Sequence, residues 1–574
     1  MIKSVYRAAL LAKGRSFPTV LQSHVQVKPA TLITRAFASS TNASVIPETH
    51  HRSYGQPVFE THPYSIEKNE VTPGVTALEY ELRRTALMNS LHEGSLVLSL
   101  GYRTRYMSNN VFYPFHQNTD FWYLTGFNEP DAAALLGGYF MQKYEKLAYD
   151  LLGLLALNFA VKDSSSPRGY KMSMFGLPKN PSAELWDGPR TGLDGMMQKF
   201  GADEAFNSMQ FPGRLRDAIN NAKCIYVDTD MSAASILSAS ESAKKLISNG
   251  MPADWSNWQE GGVAGLLAKV RQNFARYGKV SGLCELATGG TEFKPKHVGK
   301  MSKPVKQLSP LIQEFRNIKS QAEGKIMRQS GEISSKAFIE AMKFTKPGVT
   351  EGQLWAKLDF ECRMRGSTIL AYVPVVAGGP NALSMHYVRN DMKLRDGDLV
   401  LVDCGGEYNG YASDITRTWP VNGKFSEAQK KLYQAVLSVN KACIKLCTES
   451  NNISLHGIHD VSVRLMKQEL EKIGFPAKGG DVERILYPHH VGHYLGLDVH
   501  DCHDLDRSRK LKSGMVITIE PGMYVPYDDR FPQEYQGIGI RIEDNVCVGK
   551  EDPWVLTATA PKEIVDIEYC CANS

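Results

Sequence analysis

Five side chains in the last third of the 574-residue chain are of the types that hold hard metal ions. Asp403 closes Leu399-Val400-Leu401-Val402-Asp403, and Asp414 follows in Tyr411-Ala412-Ser413-Asp414-Ile415-Thr416. Glu520 stands in Val516-Ile517-Thr518-Ile519-Glu520-Pro521-Gly522, and Glu543 in Ile540-Arg541-Ile542-Glu543-Asp544. His493 belongs to a histidine-bearing run from His489 to His500. Each acid ends an apolar, β-type run, where an ionised carboxylate is costly unless a cation meets it. Taken singly, such a residue is most simply a strand-end carboxylate paired with Arg or Lys. Taken together, the four carry about −4, which two divalent ions would balance. One imidazole among oxygen donors suits Mn2+ first, with Co2+, Fe2+ or Zn2+ as alternatives, and excludes four-thiolate zinc. Two such ions would acidify a shared water and hold a bridging hydroxide beside a carbonyl, which is hydrolytic chemistry.

The elements that must position these residues are short strands and capped helices. Gly405, Gly406 and Gly410 suit a tight reversal that lays Asp403 beside Asp414. Ser320-Gln321-Ala322-Glu323 is a capping box, stopped at Lys346-Pro347-Gly348, and Thr350-Glu351-Gly352-Gln353 and Ser426-Glu427-Ala428-Gln429 open two further helices in the same way. With strands over Leu399–Asp403, Met515–Glu520 and Ile538–Glu543, residues 310–574 read as α+β, helices packed on antiparallel sheet. Residues 76–305 mix helical stretches (Ala77–Asn89, Ala264–Arg276) with β-rich runs (Gly94–Leu100, Lys223–Asp228) and read as an N-terminal α/β domain. Ala132–Leu136 reads as a strand that Val161 would continue, so residues 137–160 read as a lineage-specific insertion or a translated intron.

Composition sets the class. Hydrophobic residues are 43%, charged residues 22% and mean hydropathy is −0.29, an ordinary globular chain long enough for more than one domain. Net charge is +5, but residues 1–47 hold six basic side chains (Lys3, Arg7, Lys13, Arg15, Lys28, Arg35) and no acid. The remainder, at 60 basic against 61 acidic residues, has no footprint for nucleic acid. Ile2, Val5, Tyr6, Ala9 and Leu10 fall at helical spacing among those cations, so residues 1–37 read as a mitochondrial transit peptide and 38–75 as a linker. Cleavage after Ala36 would expose Phe37. The longest apolar run, Leu151–Val161, is too short to span a bilayer, so no transmembrane segment is expected. Ten scattered cysteines without a CxxC pair suit a reducing compartment.

The ligand set resembles that of the dinuclear-metal peptidases with the pita-bread fold. Asp120-Phe121-Trp122-Tyr123-Leu124-Thr125-Gly126-Phe127-Asn128-Glu129-Pro130 is similar to a signature of the aminopeptidase P (Xaa-Pro aminopeptidase) N-terminal domain, and the short separation of Glu520 from Glu543 resembles that family more than prolidase. With its basic leader the chain is most similar to the mitochondrial, intermediate-cleaving branch. The resemblance implies Asp403, Asp414, His493, Glu520 and Glu543 as metal ligands, Asp414 and Glu543 bridging, with His386, His489, His500 and Arg541 around them. It implies Glu520 as proton acceptor and shuttle, and His493 with His386 or His500 as donors to the developing oxyanion. His490 reads as a bystander, and His456, His459 and His503 as surface residues. The function implied is a metallo-aminopeptidase of the mitochondrial matrix or the matrix face of the inner membrane. It would release one N-terminal residue from peptides or imported proteins, either before proline or a bulky residue exposed by leader cleavage, and a homo-oligomer is compatible with that reading. The alternative is a pita-bread protein-binding module without turnover. No GxxxxGK[ST], GxSxG or HExxH motif supports a nucleotide-binding, serine-hydrolase or zincin reading.

Overall fold

The computed structural model describes residues 53–137, 168–228 and 304–572, all within the unit Glu48–Ser574. The leader 1–37, most of the candidate insertion 137–160 and the helix expected at Ala264–Arg276 lie outside the described residues.

In the N-terminal domain α1 (Ala77–Asn89) is capped by Thr76, whose hydroxyl accepts from Glu79 N. It packs beside α2 (Thr119–Thr125), which ends on Gly126 in the left-handed conformation. Behind them lies a six-stranded mixed sheet of β1 (Ser95–Leu100), β2 (Ala133–Gly137), β3 (Lys171–Gly176), β4 (Glu204–Asn207), β5 (Cys224–Val227) and β6 (Val305–Gln307). Its order is β6-β5-β1-β2-β3-β4, with β1/β2 and β2/β3 antiparallel and the other pairs parallel. β1 is buried along its whole length, and β2 along all but its last residue, Gly137, so their apolar runs do not alternate. Residues 53–75, expected as linker, instead bury Val58, Ile66, Val71 and Val75 and carry a small antiparallel pair, Glu70–Thr72 with Val75–Thr76. Those apolar side chains, spaced among polar ones, find a surface only the folded domain supplies.

α3 (Ser309–Asn317) leads into the C-terminal domain, where α4 (Gln321–Phe344), α5 (Glu351–Met364) and α6 (Glu427–Ile444) each begin on a complete capping box at Ser320, Thr350 and Ser426. α7 (Leu455–Lys472) packs against α6. The helices cover antiparallel sheets. β7 (Val375–Gly378), β8 (Leu399–Cys404) and β11 (Ile415–Pro420) form one, and the β9 (Gly406–Tyr408) to β10 (Tyr411–Ala412) hairpin interrupts it between β8 and β11. β12 (Val516–Ile519) pairs with β15 (Asp544–Cys547), and β13 (Gly522–Tyr524) with β14 (Gly539–Arg541). The strand expected over Ile538–Glu543 is thus split. It leaves its first partner after Arg541, and Ile542 and Glu543 cross to the next pair. The α+β expectation holds, with a core running from Phe338 and Trp419 to Leu432 and Ile519.

The two domains are joined by packed rings: Trp122 of α2 meets Tyr411 of β10 at 6.0 Å between ring centroids. The turn there needs glycine, because Gly410 has φ +81° and a Cβ on it would stand 2.9 Å from the Trp122 ring. Nine cysteines are free among the described residues. Cys443 and Cys447 are both buried, as packing residues would be. No described helix is long and apolar enough to cross a membrane.

Candidate active site

Strand register assembles the acids. Asp403 pairs with Thr416 and Cys404 with Ile415 across β8/β11, so Asp414, one residue before β11, stands beside the end of β8. Ile519 pairs with Asp544 across β12/β15, which sets Glu520 beside Glu543. The two halves are stitched by Glu543 N donating to Thr416 O at 3.0 Å. The His493 segment runs along β12, with Thr518 N donating to His493 O at 2.9 Å and Glu520 N to Val491 O at 2.8 Å. That approach requires Gly492, where a Cβ would lie 2.0 Å from Thr518 O.

All the sequence-predicted site residues converge. His386, Asp403, Asp414, His489, His493, His500, Glu520, Arg541 and Glu543 line one cavity of about 560 Å³. His493 Nε2 lies 3.3 Å from Asp414 Oδ2 and 3.6 Å from Glu520 Oε1. Ligand atoms of Asp414, His493 and Glu543 all fall within 4.8 Å of one another. His493 Nδ1 is 2.9 Å from Tyr494 O, which makes Nδ1 the protonated nitrogen and leaves Nε2 as a lone-pair donor toward the acids. A His493 that offered Nε2 to a metal ion would have no N–H left to aim at a substrate oxygen. The His500 ring crosses that of His493 at 4.6 Å.

Arg541 reaches Glu543 only through a relay. Rather than orienting Glu543 directly, its Nη2 donates to Asp403 Oδ2 at 2.5 Å, its Nη1 to Tyr524 OH at 2.9 Å and its Nε to Thr416 Oγ1 at 3.0 Å; Thr416 Oγ1 in turn donates to Glu543 Oε2 at 2.6 Å. Two residues apart on a continuous strand would share a face, but the chain turns after Arg541. His489 Nε2 contacts Tyr524 OH at 3.0 Å, and its Nδ1 lies 3.9 Å from Glu520 Oε2. His490 also lines the cavity; its ring stacks on His459 and meets His456 Nδ1 at 3.1 Å, so it is more than a bystander to the wall. His503 is exposed.

Sequence reading missed Tyr372, whose hydroxyl reaches both Asp403 Oδ1 and Asp414 Oδ1 at 2.5 Å. One tyrosine in Ala371-Tyr372-Val373-Pro374 carries no local signal of that role.

The electrostatics are those of a centre short of positive charge. Burial pushes Glu520 up to about 7 against the pull of His493 and Arg541. Burial and the neighbouring Asp414 hold Glu543 well above the carboxylate range, and burial also raises Asp403 despite Arg541. Burial opposes protonation of His493, but Asp414 and Glu520 outweigh it and carry the imidazole up to about 9. His489 is driven down to about 3 by burial and the Arg541 charge. Four carboxylates share one guanidinium and one imidazole, so the donor set fits divalent cations, which would supply the missing charge.

Comparison with known proteins agrees. Residues 325–550 match the profile of metallopeptidase family M24, and residues 80–226 that of the aminopeptidase P N-terminal domain. Xaa-Pro aminopeptidase 3 of Mus musculus is 38% identical over 537 residues, 91% of this chain and 92% of its own length. Intermediate cleaving peptidase 55 of Saccharomyces cerevisiae is 38% identical over 520 residues, 90% of this chain and 89% of its own. The crystal structure of Icp55 from Saccharomyces cerevisiae superposes with a TM-score of 0.68 at 36% identity, covering 88% of this chain and 100% of that one. Aminopeptidase P from E. coli with the inhibitor Pro-Leu gives 0.67 at 29%, covering 87% and 98%. These likenesses, over both domains, confirm the pita-bread fold and set aside the reading as a binding module without turnover. The chain belongs to metallopeptidase family M24, in the form that carries an aminopeptidase P N-terminal domain, and it is a metal-dependent exopeptidase of the Xaa-Pro aminopeptidase type, a hydrolase.

Proposed function

We propose that this protein is a mitochondrial aminopeptidase that removes a single residue from the N-termini of peptides or imported proteins. The observation that carries the reading is the convergence of Asp403, Asp414, His493, Glu520 and Glu543 in one cavity with too little positive charge of its own. These five would hold two divalent ions, Mn2+ first. Bound there, the ions would supply Lewis-acid polarisation of the scissile carbonyl and acidification of water.

The chain's own groups do the rest. Glu520, which burial holds near neutrality, accepts a proton on its carboxylate and returns it to the leaving nitrogen, a role worth roughly 10² to 10⁴ in rate. His500 and His386 face the same cavity and donate to the carbonyl oxygen as charge develops there. Arg541 and Tyr372 hold Asp403 from opposite sides, and His489 is kept neutral beside Glu520. A cationic substrate amine is drawn to the acidic end, which selects chain termini. A proline nitrogen has no hydrogen to donate, so a prolyl bond is admitted by shape. Val373, Met385 and Val388 make one wall apolar, which suits a bulky first residue.

The leader supports the location. Residues 1–37 have the composition of a presequence, and relatives include the intermediate cleaving peptidase 55, mitochondrial, of Arabidopsis thaliana. Cleavage after Ala36 followed by self-trimming of Phe37 would leave Ala38 as the mature N-terminus. Comparing protein N-termini in mitochondria with and without Asp414→Asn tests the whole reading. Termini longer by one residue in the variant are expected, with or without a following proline deciding the substrate rule, and unchanged termini would refute it.

A further inference from the structure

His500 sits on a loop that runs from Tyr494 to Asp501 and closes on itself, Asp501 N donating to Tyr494 O at 3.0 Å. The two acids that flank His500 in this loop, Asp498 and Asp501, turn to one guanidinium. Arg316 Nη2, at the end of α3, donates to Asp498 Oδ2 at 2.6 Å and also to Asp501 Oδ1. Lys319 Nζ adds a bond to Asp501 Oδ2 at 3.0 Å.

The other terminal nitrogen of Arg316 faces the N-terminal domain, where Nη1 donates to Asp120 Oδ1 at 2.6 Å and to Thr119 Oγ1 at 3.1 Å. Thr119 Oγ1 itself donates to Asp498 Oδ2 at 2.9 Å, and Ser309 Oγ holds the second oxygen of Asp120 at 2.6 Å. Arg316, Lys319, Asp120 and Asp501 are all buried. A planar guanidinium bonded through both terminal nitrogens fixes its partners in direction as well as distance, which an ammonium does not. The backbone next to it is held under constraint: Cys502, buried, has φ +48°, a conformation that persists where the surroundings over-determine it.

We propose that Arg316, fixed by Asp120 and Thr119 of the N-terminal domain, is a positioning residue for His500, so that the domain without metal ligands sets the placement of an imidazole that meets the substrate. This rests on the reading of His500 as a donor to the substrate carbonyl. The Asp120 signature then has a chemical consequence: helix α2 acts on the catalytic centre through one buried fork. The prediction is a loss in turnover rather than in binding, because His500 faces the reacting group while Asp498 and Asp501, turned away to Arg316, touch no part of the substrate.

The test is a cycle on the full-length, Mn2+-loaded enzyme cleaving an Xaa-Pro peptide, with Arg316→Lys, Asp120→Asn and His500→Ala singly and Arg316→Lys with His500→Ala together. Arg316→Lys and Asp120→Asn are expected to lower kcat roughly 10- to 100-fold, since a misplacement of about 1 Å costs on that scale, with KM within about twofold. In the His500→Ala background the same Arg316 substitution should lower kcat by less than about twofold, because the group it positions has gone. Metal content and melting temperature are followed in parallel, and Thr119→Val, which removes only a neutral hydroxyl, replaces any Arg316 variant that does not fold. Equal losses in both backgrounds, or full kcat in a folded Arg316→Lys enzyme, would overturn the positioning role alone. An unimpaired His500→Ala enzyme would overturn the role of His500 and the proposal with it.

Discussion

Stripping the proposed metal centre should open a stability gap to the Mn2+-loaded protein that widens as pH rises. In the metal-free site Glu520 is held at about 7 against an ordinary 4.5, chiefly by burial. The folded chain then binds that proton more tightly than the unfolded chain. Stability is therefore intact below pH 4.5, declines between 4.5 and about 7, and levels off above, by about 3 kcal/mol for this group. His493, raised from 6.5 to about 9, extends the decline to higher pH, and Glu543 has the same sign; Asp414, which His493 holds below its ordinary value against burial, and His489, which burial holds down at about 3, have the opposite sign, and His489, outside the ligand set, keeps its contribution in both forms. With about 2.1 cal/mol/K of unfolding entropy per residue, 3 kcal/mol is roughly 3 °C if the whole chain melts together and roughly 6 °C if the C-terminal domain melts alone. Cations at the centre substitute for those protons. Calorimetry of EDTA-treated and Mn2+-reconstituted protein at pH 5, 6, 7 and 8 should show the gap in melting temperature widening by several degrees toward pH 8. Groups elsewhere titrate in both forms and cancel in the difference. A gap that stays constant or narrows from pH 5 to 8 would refute the charge argument.

Three further outcomes follow from single contacts. Tyr372→Phe removes the hydroxyl shared by Asp403 and Asp414 and should cost about 10- to 100-fold in metal affinity or kcat/KM, measured by metal titration and peptide hydrolysis. Arg417→Met leaves the fully buried Asp544, whose carboxyl Arg417 and Lys562 hold below the usual range despite burial, with Lys562 and the Thr557 hydroxyl; urea unfolding should show a loss of about 3–5 kcal/mol. Gly492→Ala drives a methyl into Thr518 O and must lift the His493 segment off β12, so activity should fall on the order of 10²-fold while the helical circular dichroism signal stays.

The short-range features of this protein were legible in the chain itself. The capping boxes at Ser320, Thr350 and Ser426 form as read, because a hydroxyl and a carboxyl or amide three residues on need only local backbone to meet. The Asn409-Gly410 turn, with φ +49° and +81°, follows from residue types that tolerate that region, and it accounts for Asp403 and Asp414 being neighbours. Asp403, Glu520 and Glu543 were identifiable because an acid at the end of an apolar run is a local anomaly.

What the tertiary structure decided is which groups answer those donors. Arg541 turns to Asp403 because β14 ends there and the chain crosses to another sheet, a break that alternation in Ile538–Glu543 does not reveal. Tyr372 reaches the centre, and Arg316 the loop of His500, from segments with ordinary composition, and Arg316 bonds to Asp120 across the domain boundary. Residues 53–75, polar enough to read as linker, are ordered by a surface that exists only once the domain has folded. Caps, turns and amphipathic periodicity are fixed by neighbours within a few residues, whereas the partner of a buried charge is chosen by packing among elements hundreds of residues apart.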